Sequence, residues 1–156
     1  MSALREPCTG RFRQMLYADL REVVAIEQRA YDFAWTEGIF RDCIRAGYHC
    51  RVLETPHGFI QSYSVMSAAV GEAHILNLCV RPELQGRGLS QRMLEHLLDL
   101  ARSLNVQTMF LEVRTSNHRA VQLYTAAGFC EIGLRIGYYP ALRGREDALV
   151  MAKELW

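Results

Sequence analysis

The spacing of apolar positions changes several times along the chain, and helical spacing predicts four helices. Helical spacing first occurs at Leu20, Val23, Val24, Ile26, Ala30 and Tyr31. Thr36 is suited to cap a second helix, which begins beside it. The clearest helix spans Leu89 to Leu104, where apolar side chains at i, i+4, i+5, i+8 and i+9 share one face. A short helix is predicted over 117–127, and Gly128 ends it.

Segments with strand-like composition alternate with these helices. They predict strands over 11–17, 49–53, 59–66, 73–80, 107–113, 129–136 and 148–152. Short turns between the second, third and fourth strands favour antiparallel pairing, whereas the long helix after the fourth strand requires a parallel crossover. The sequence therefore predicts an α+β fold: a mixed, mostly antiparallel seven-stranded sheet with helices on both faces.

Composition narrows the class of protein. The 156 residues include 18 Lys plus Arg, 17 Asp plus Glu and 50% hydrophobic residues, without a repeat or a linker, so we expect one domain over 1–156. A net charge of +1 provides no basic surface for nucleic acid. The sequence has neither a run of about 20 apolar residues nor a secretory h-region at its start. We expect a cytoplasmic protein without membrane or nucleic-acid partners.

Cysteine and histidine spacing argues against metal and disulfide frameworks. The five cysteines form no C-x-x-C pair, and the five histidines form no H-E-x-x-H motif. We therefore expect reduced, mostly buried thiols and no metal. Cys79 lies within a strand and has no evident base beside it, which favours a buried thiol over a covalent acyl carrier.

A glycine-rich turn joins the strand at 73–80 to the long helix. Free N–H groups at a helix N-terminus carry partial positive charge, and Gly86 and Gly88 let a ligand approach them closely, so the turn with Arg87 suits a pyrophosphate. An ordinary strand-to-helix turn explains the same glycines. No G-K-[ST] or G-x-G-x-x-G motif is present, which disfavours ATP and NAD.

Three polar residues beyond this turn are candidates for chemistry. Glu112 lies among apolar residues of a predicted strand, where a carboxylate requires either a wet cleft or a salt bridge to Arg114 or another arginine. Tyr124 lies on an apolar helix stripe, where a packed aromatic is the alternative to a functional hydroxyl. Asn117 has a simpler alternative role as a helix cap, for which Ser116 competes.

These elements together resemble the GNAT superfamily of acetyl-CoA-dependent N-acetyltransferases over residues 12–155. The resemblance depends on Q-x-x-G-x-S at Gln85–Ser90, the strand with Glu112 and the segment Asn117–Phe129. Leu111–Arg114, Tyr138–Pro140 and Gly144–Ala148 resemble, more narrowly, the RimI-type branch of ribosomal-protein alanine N-acetyltransferases. One residue departs from the pattern, because Ser90 stands where the superfamily usually has glycine or alanine.

The resemblance implies a splayed, parallel central strand pair that admits acetyl-CoA as co-substrate. The main chain of Leu78, Cys79 and Val80 would pair with the pantetheine arm. The pyrophosphate would be bound by Gly86, Arg87, Gly88, Leu89, Ser90 and Gln91. By the same resemblance Asn117 contacts the cofactor, Glu112 is the proton acceptor and Tyr124 is the proton donor.

The implied acceptor is a protein N-terminus, namely the α-amine of the alanine that begins small-subunit ribosomal protein number eighteen. This amine would attack the thioester directly in a ternary complex. Candidate substrate-binding residues are Glu27, Trp35, Tyr138 and Tyr139, with core packing as the alternative for the aromatic ones. Two other functions remain open: a GNAT that acetylates a small amine or a lysine side chain, and a non-catalytic acetyl-CoA-binding module.

Overall fold

The computed structural model describes residues 10–156, which form a seven-stranded sheet in the order β1-β2-β3-β4-β5-β7-β6. The strands are β1 (Arg11–Gln14), β2 (His49–Glu54), β3 (Ile60–Ala69), β4 (Glu72–Val80), β5 (Thr108–Arg114), β6 (Cys130–Pro140) and β7 (Arg145–Glu154). The helices are α1 (Leu20–Ala30), α2 (Glu37–Arg45), α3 (Leu89–Ser103) and α4 (His118–Ala126), with 3-10 turns at Tyr17–Asp19 and Pro82–Leu84.

The predicted fold class is confirmed. Every neighbouring pair in the sheet is antiparallel except β4 with β5, which α3 connects as a parallel crossover. The limits of some elements differ from the prediction. β1 ends at Gln14 and the next residue, Met15, is buried in the core. β6 and β7 are longer than predicted, because two register shifts in β6 interrupt the hydrophobic alternation that marks a strand.

Helices cover both faces of the sheet, and each helix has the amphipathic pattern that its burial requires. α3 and α4 pack with β5 and β7 around Leu97, Leu111 and Met151. α1 and α2 cover the opposite face over β2 and β3, where Phe40 meets Tyr63 edge-on at 5.7 Å between ring centroids. On this second face, α1 and α2 do not cover β5, β7 and β6.

The parallel pair separates towards its carboxyl end. β4 and β5 are paired only from Glu72 with Thr108 to Ile75 with Leu111, although β4 continues to Val80 and β5 to Arg114. A register shift between β3 and β4 at this point redirects β4. The divergence leaves main-chain groups of β4 without a strand partner and opens a gap in the middle of the sheet.

Two structural observations bear on the expected class of protein. Within residues 10–156, no helix has both the length and the apolar character needed to span a bilayer. In the same residues no three His, Cys, Asp or Glu side chains are grouped to hold a metal ion. Cys43, Cys50 and Cys79 are buried free thiols and Cys130 is exposed, whereas Cys8 lies outside the described residues.

Candidate active site

A cleft of about 650 Å³ opens where β4 and β5 separate, and we call it the central cleft. The segment after α1, the ends of β4 and β5, the start of α4 and the β6–β7 hairpin form its walls. The predicted site residues that line it are Glu27, Trp35, Leu78, Glu112, Asn117, Tyr124 and Tyr139. The fold therefore brings together residues that are far apart in the sequence.

Glu112 is the first residue of β5 beyond the paired part, and its side chain is only 9% exposed. Its Oε2 contacts Nε2 of His74 on β4, and its Oε1 lies 3.5 Å from Nε of Arg135 on β6. Glu112 thus also forms the salt bridge that was its alternative role, but its partner is Arg135 and not Arg114. A carboxylate that lines a cleft and retains one loosely held oxygen is suited to accept a proton.

Tyr124 projects from α4 into the same cleft. Its ring packs edge-on against Phe129, with 5.6 Å between the centroids, so the packing alternative is met as well. Burial raises the pKa of Tyr124 above its ordinary value, so the phenol stays protonated at neutral pH. Because Tyr124 lines the cleft, its hydroxyl can donate to a ligand bound there.

The turn before α3 has the geometry of an anion site. The first hydrogen bond of α3 runs from Arg92 N to Gly88 O at 3.1 Å, so the N–H groups of Leu89, Ser90 and Gln91 precede it and have no acceptor in the helix. No side chain caps this end. Gly86 and Gly88 have φ of +79° and +78°, a backbone conformation that L side chains rarely adopt. These features fit the pyrophosphate of a nucleotide cofactor.

The main chain of β4 presents alternate residues to the gap. Arg81 N donates to Gln61 O of β3 at 2.9 Å, and the antiparallel alternation that follows directs the main-chain groups of Val80 and Leu78 away from β3. Those of Cys79 face β3 instead. Leu78 O accepts a hydrogen bond from the Tyr31 hydroxyl at 3.0 Å within the gap. An extended ligand with amide groups would therefore meet Leu78 and Val80 and not Cys79.

Asn117 has the capping role that was its alternative reading. Its Oδ1 accepts from Ala120 N at 3.2 Å, while the residue also lines the central cleft. The neighbouring Ser116 N donates to Oε2 of Glu146 at 3.3 Å. This bond links the start of α4 to β7 and fixes the lip of the cleft.

The four predicted substrate-binding residues do not occupy equivalent positions. Trp35 and Tyr139 line the cleft, whereas Tyr138 is 45% exposed and is not part of its lining. Glu27 is 2% exposed, and both of its oxygens are engaged by Tyr63 Oη at 2.6 Å, Asn77 Nδ2 at 3.0 Å and Trp35 N at 2.9 Å. Glu27 thus has donors from the protein on both oxygens.

Sequence reasoning missed the partners of Glu112 and the residues that hold the hairpin. His74 and Arg135 reach Glu112 from neighbouring strands, and Arg114 pairs with Glu146. The sequence pattern predicted that His74 lies on a strand, but it did not predict that this strand brings His74 into contact with Glu112. Arg135 could not be assigned because its position depends on the register shifts of β6.

Comparison with known proteins identifies the family of the chain. Residues 11–129 match the model of the acetyltransferase (GNAT) family. The chain is 40% identical over 134 residues to the [ribosomal protein bS18]-alanine N-acetyltransferase of Escherichia coli strain K12. The aligned residues cover 86% of this chain and 90% of that enzyme. It is 33% identical over 141 residues to the enzyme of the same name from Haemophilus influenzae, which covers 89% of this chain and 94% of that one.

Solved structures show the same fold. The crystal structure of the ribosomal-protein-S18-alanine N-acetyltransferase from Escherichia coli superposes with a TM-score of 0.87 at 36% identity and covers 94% of each chain. A phosphinothricin acetyltransferase from Sinorhizobium meliloti, solved in complex with acetyl-CoA, shares the fold at a TM-score of 0.78 and 20% identity, covering 94% of this chain and 88% of that one. The chain belongs to the acetyltransferase (GNAT) family. Within that family its similarity extends to the ribosomal-protein alanine N-acetyltransferases.

Proposed function

We propose that this protein transfers the acetyl group of acetyl-CoA to a protein N-terminal α-amine, and that the alanine that begins ribosomal protein bS18 is its acceptor. The observation that carries the proposal is the position of Glu112. The carboxylate lies where β4 and β5 part, in a cleft about 650 Å³ in volume that the hairpin and the segment after α1 enclose. The similarity to bS18-alanine N-acetyltransferases over most of the chain supports the choice of acceptor.

The residues present fit acetyl-CoA. The uncapped N-terminus of α3 with Gly86 and Gly88 would hold the pyrophosphate, and the main chain of Leu78 and Val80 would pair with the pantetheine amides. Acetyl-CoA supplies an activated acyl group as a thioester. Ser90 at the start of α3 is a small residue, and we expect cofactor binding to survive its presence.

The protein's own groups then perform proton transfer. Glu112 accepts the proton that the attacking amine loses, and Tyr124 donates from its hydroxyl to the departing thiolate. An α-amine has a pKa of about 7.7 to 8.0 and is partly neutral at pH 7.5, whereas a lysine amine near 10.4 requires a further cost of roughly 3 kcal/mol or more. A carboxylate is therefore a sufficient base for an N-terminus, which favours this acceptor over a lysine side chain.

The direct test is release of free thiol from acetyl-CoA by the purified chain. We expect release with a peptide that has the N-terminal sequence of bS18, and none with the same peptide blocked at its α-amine. A peptide blocked at the α-amine but carrying a lysine, and a set of small amines, complete the panel. Turnover with small amines or lysine alone would contradict the proposed acceptor. Binding of coenzyme A without turnover of any amine would contradict the enzymatic function.

A further inference from the structure

His74 on β4 contacts the Glu112 carboxylate and is the more exposed of the two side chains. It is in register with Phe110 across the parallel pair, and its Nε2 reaches Oε2 of Glu112. The side chain of His74 is 33% exposed, whereas that of Glu112 is 9% exposed. The imidazole is therefore accessible to solvent while it contacts the carboxylate.

The other groups around this pair hold their charge over a wide pH range. Arg135 approaches from β6 and stays cationic, and burial raises the pKa of Tyr139, also on β6, to about 12, with Glu112 among the lesser causes. Val150 on β7 and Ser67 on β3, the strand neighbours of Glu112 and His74, carry no charge. Of these neighbours, only His74 is of a type that ordinarily changes charge between pH 5 and 8.

The carboxylate of Glu27, which approaches from α1 on the far side of the cleft, is occupied elsewhere. It accepts from Tyr63 and Asn77 on one oxygen and from Trp35 N on the other. The cleft thus contains two carboxylates in different environments. Glu27 is held by neutral donors from the core, and Glu112 by one arginine and one histidine.

We propose that His74 is a positioning residue that orients the Glu112 carboxylate and makes its use as a base depend on the charge of the imidazole. Neutral His74 donates Nε2–H to Oε2 and leaves Oε1, whose contact with Arg135 is long, to accept the proton of the acceptor amine. Protonation of His74 places a positive charge against the carboxylate, which opposes its protonation. The enzyme then loses activity as the pH falls, because the base is weakened. This inference rests on the proposed function, in which Glu112 is the proton acceptor.

The variant His74→Gln separates the two roles, because glutamine is a hydrogen-bond donor that does not titrate. The experiment measures kcat from pH 5.5 to 8.5 with saturating acetyl-CoA and an alanine-first peptide. The result is expressed as the ratio of kcat for the variant to kcat for the unaltered chain. Because both enzymes use the same acceptor amine, the effect of its titration cancels in this ratio. We expect a ratio near one at pH 8.5 that rises several-fold towards pH 5.5.

His74→Ala removes the donor as well as the charge. We expect its kcat to fall about tenfold at pH 8, with the KM for acetyl-CoA unchanged, because the cofactor contacts lie elsewhere. A ratio for His74→Gln that stays flat across the pH range would overturn the proposal. An unchanged kcat for His74→Ala would overturn the orienting role.

Two controls make the outcome specific. His57→Gln alters an exposed histidine in the β2–β3 turn that does not line the central cleft, and should give a flat ratio near one. Glu112→Gln separates a failure of the proposed function from a failure of the role proposed for His74. If that variant keeps full activity, the proposed function loses its proton acceptor; if it is slow while His74→Gln gives a flat ratio, only the inference about His74 fails.

Discussion

Arg114 at the end of β5 and Glu146 near the start of β7 form an ion pair, with 3.3 Å between Nη1 and Oε1. The same guanidinium donates to Pro140 O at 2.7 Å and lies 4.5 Å from the ring centroid of Tyr139. One side chain therefore fixes the β6–β7 hairpin against the rim of the central cleft. The hairpin wall owes its position to this pair as well as to strand pairing.

Replacement of Arg114 by lysine tests this arrangement. Lysine keeps the charge but loses the planar fork and the stacking on Tyr139. We expect the KM for the peptide to rise about tenfold, equivalent to about 1.4 kcal/mol, while the affinity for coenzyme A is unchanged. Steady-state kinetics and calorimetry measure the two quantities. Arg41→Lys, in an exposed pair on α2, is the matched control, and an equal loss of coenzyme A affinity would contradict a role limited to the hairpin.

Glu112→Gln keeps the shape of the side chain and removes its ability to take a proton. We expect kcat to fall by about 10² to 10⁴ with little change in the binding of coenzyme A. The comparison is Glu131→Gln, an exposed residue of β6, which should retain kcat. Equal rates for the two variants at pH 7 would remove Glu112 from the proposed mechanism.

The sequence predicted the order and type of the elements because each has a clear hydrophobic period and short connections. It also singled out Glu112, since a carboxylate within an apolar strand requires a compensating partner or solvent. It could not identify His74 and Arg135 as those partners, because their approach depends on a divergence of strands and on register shifts in β6. Neither the divergence of the strands nor the register shifts can be predicted from hydrophobic periodicity.

Tyr138 and Tyr139 also show what the sequence could not predict. Tyr138 and Tyr139 are adjacent on β6 and their rings pack edge-on, with 4.8 Å between the centroids, yet only Tyr139 lines the cleft. The sequence named both, because the choice between them depends on the register of β6 against β7. Pairing of Tyr139 with Glu146 decides it.

Gly88 tests the backbone of the proposed pyrophosphate site. A Cβ at this position would meet nothing within 4 Å, so a substitution there acts through φ of +78° alone. We expect Gly88→Ala to reduce the free energy of unfolding by about 1 kcal/mol and to weaken the binding of coenzyme A. Urea unfolding and calorimetry provide the measurements. Gly38→Ala, at a helical glycine of α2 where an added Cβ would make only an ordinary contact of 3.7 Å with Thr36 Oγ1, should leave both unchanged or raise stability.

Cys79 provides a test of direct transfer. Burial raises the pKa of its thiol to about 11, so about one molecule in a thousand carries the thiolate at pH 8. We expect iodoacetamide to modify exposed Cys130 at pH 8 while Cys79 stays protected, and the alkylation of Cys79 to rise by about tenfold per pH unit until the pH reaches its pKa. Peptide mapping by mass spectrometry reads both. An acetylated Cys79 after mixing with acetyl-CoA would contradict direct attack by the amine.

Glu27 tests whether the wall of the cleft near α1 depends on a buried carboxylate. Its oxygens accept three hydrogen bonds from Tyr63, Asn77 and the main chain of Trp35, and bonds to a charged acceptor contribute about 1.5 to 3 kcal/mol each when one partner is lost. In Glu27→Gln one end of the amide is a donor that faces another donor. We expect the free energy of unfolding to fall by about 2 to 4 kcal/mol in urea titrations.

The matched variant for Glu27 is Glu37→Gln, an exposed position at the start of α2, which should be neutral within about 0.5 kcal/mol. Tyr63→Phe removes a single donor and should cost less than Glu27→Gln, because two bonds to the carboxylate remain. A Glu27→Gln protein with unchanged stability but a raised KM for the peptide would instead assign Glu27 to substrate binding. The two measurements therefore separate a carboxylate that organises the cleft wall from one that contacts the acceptor.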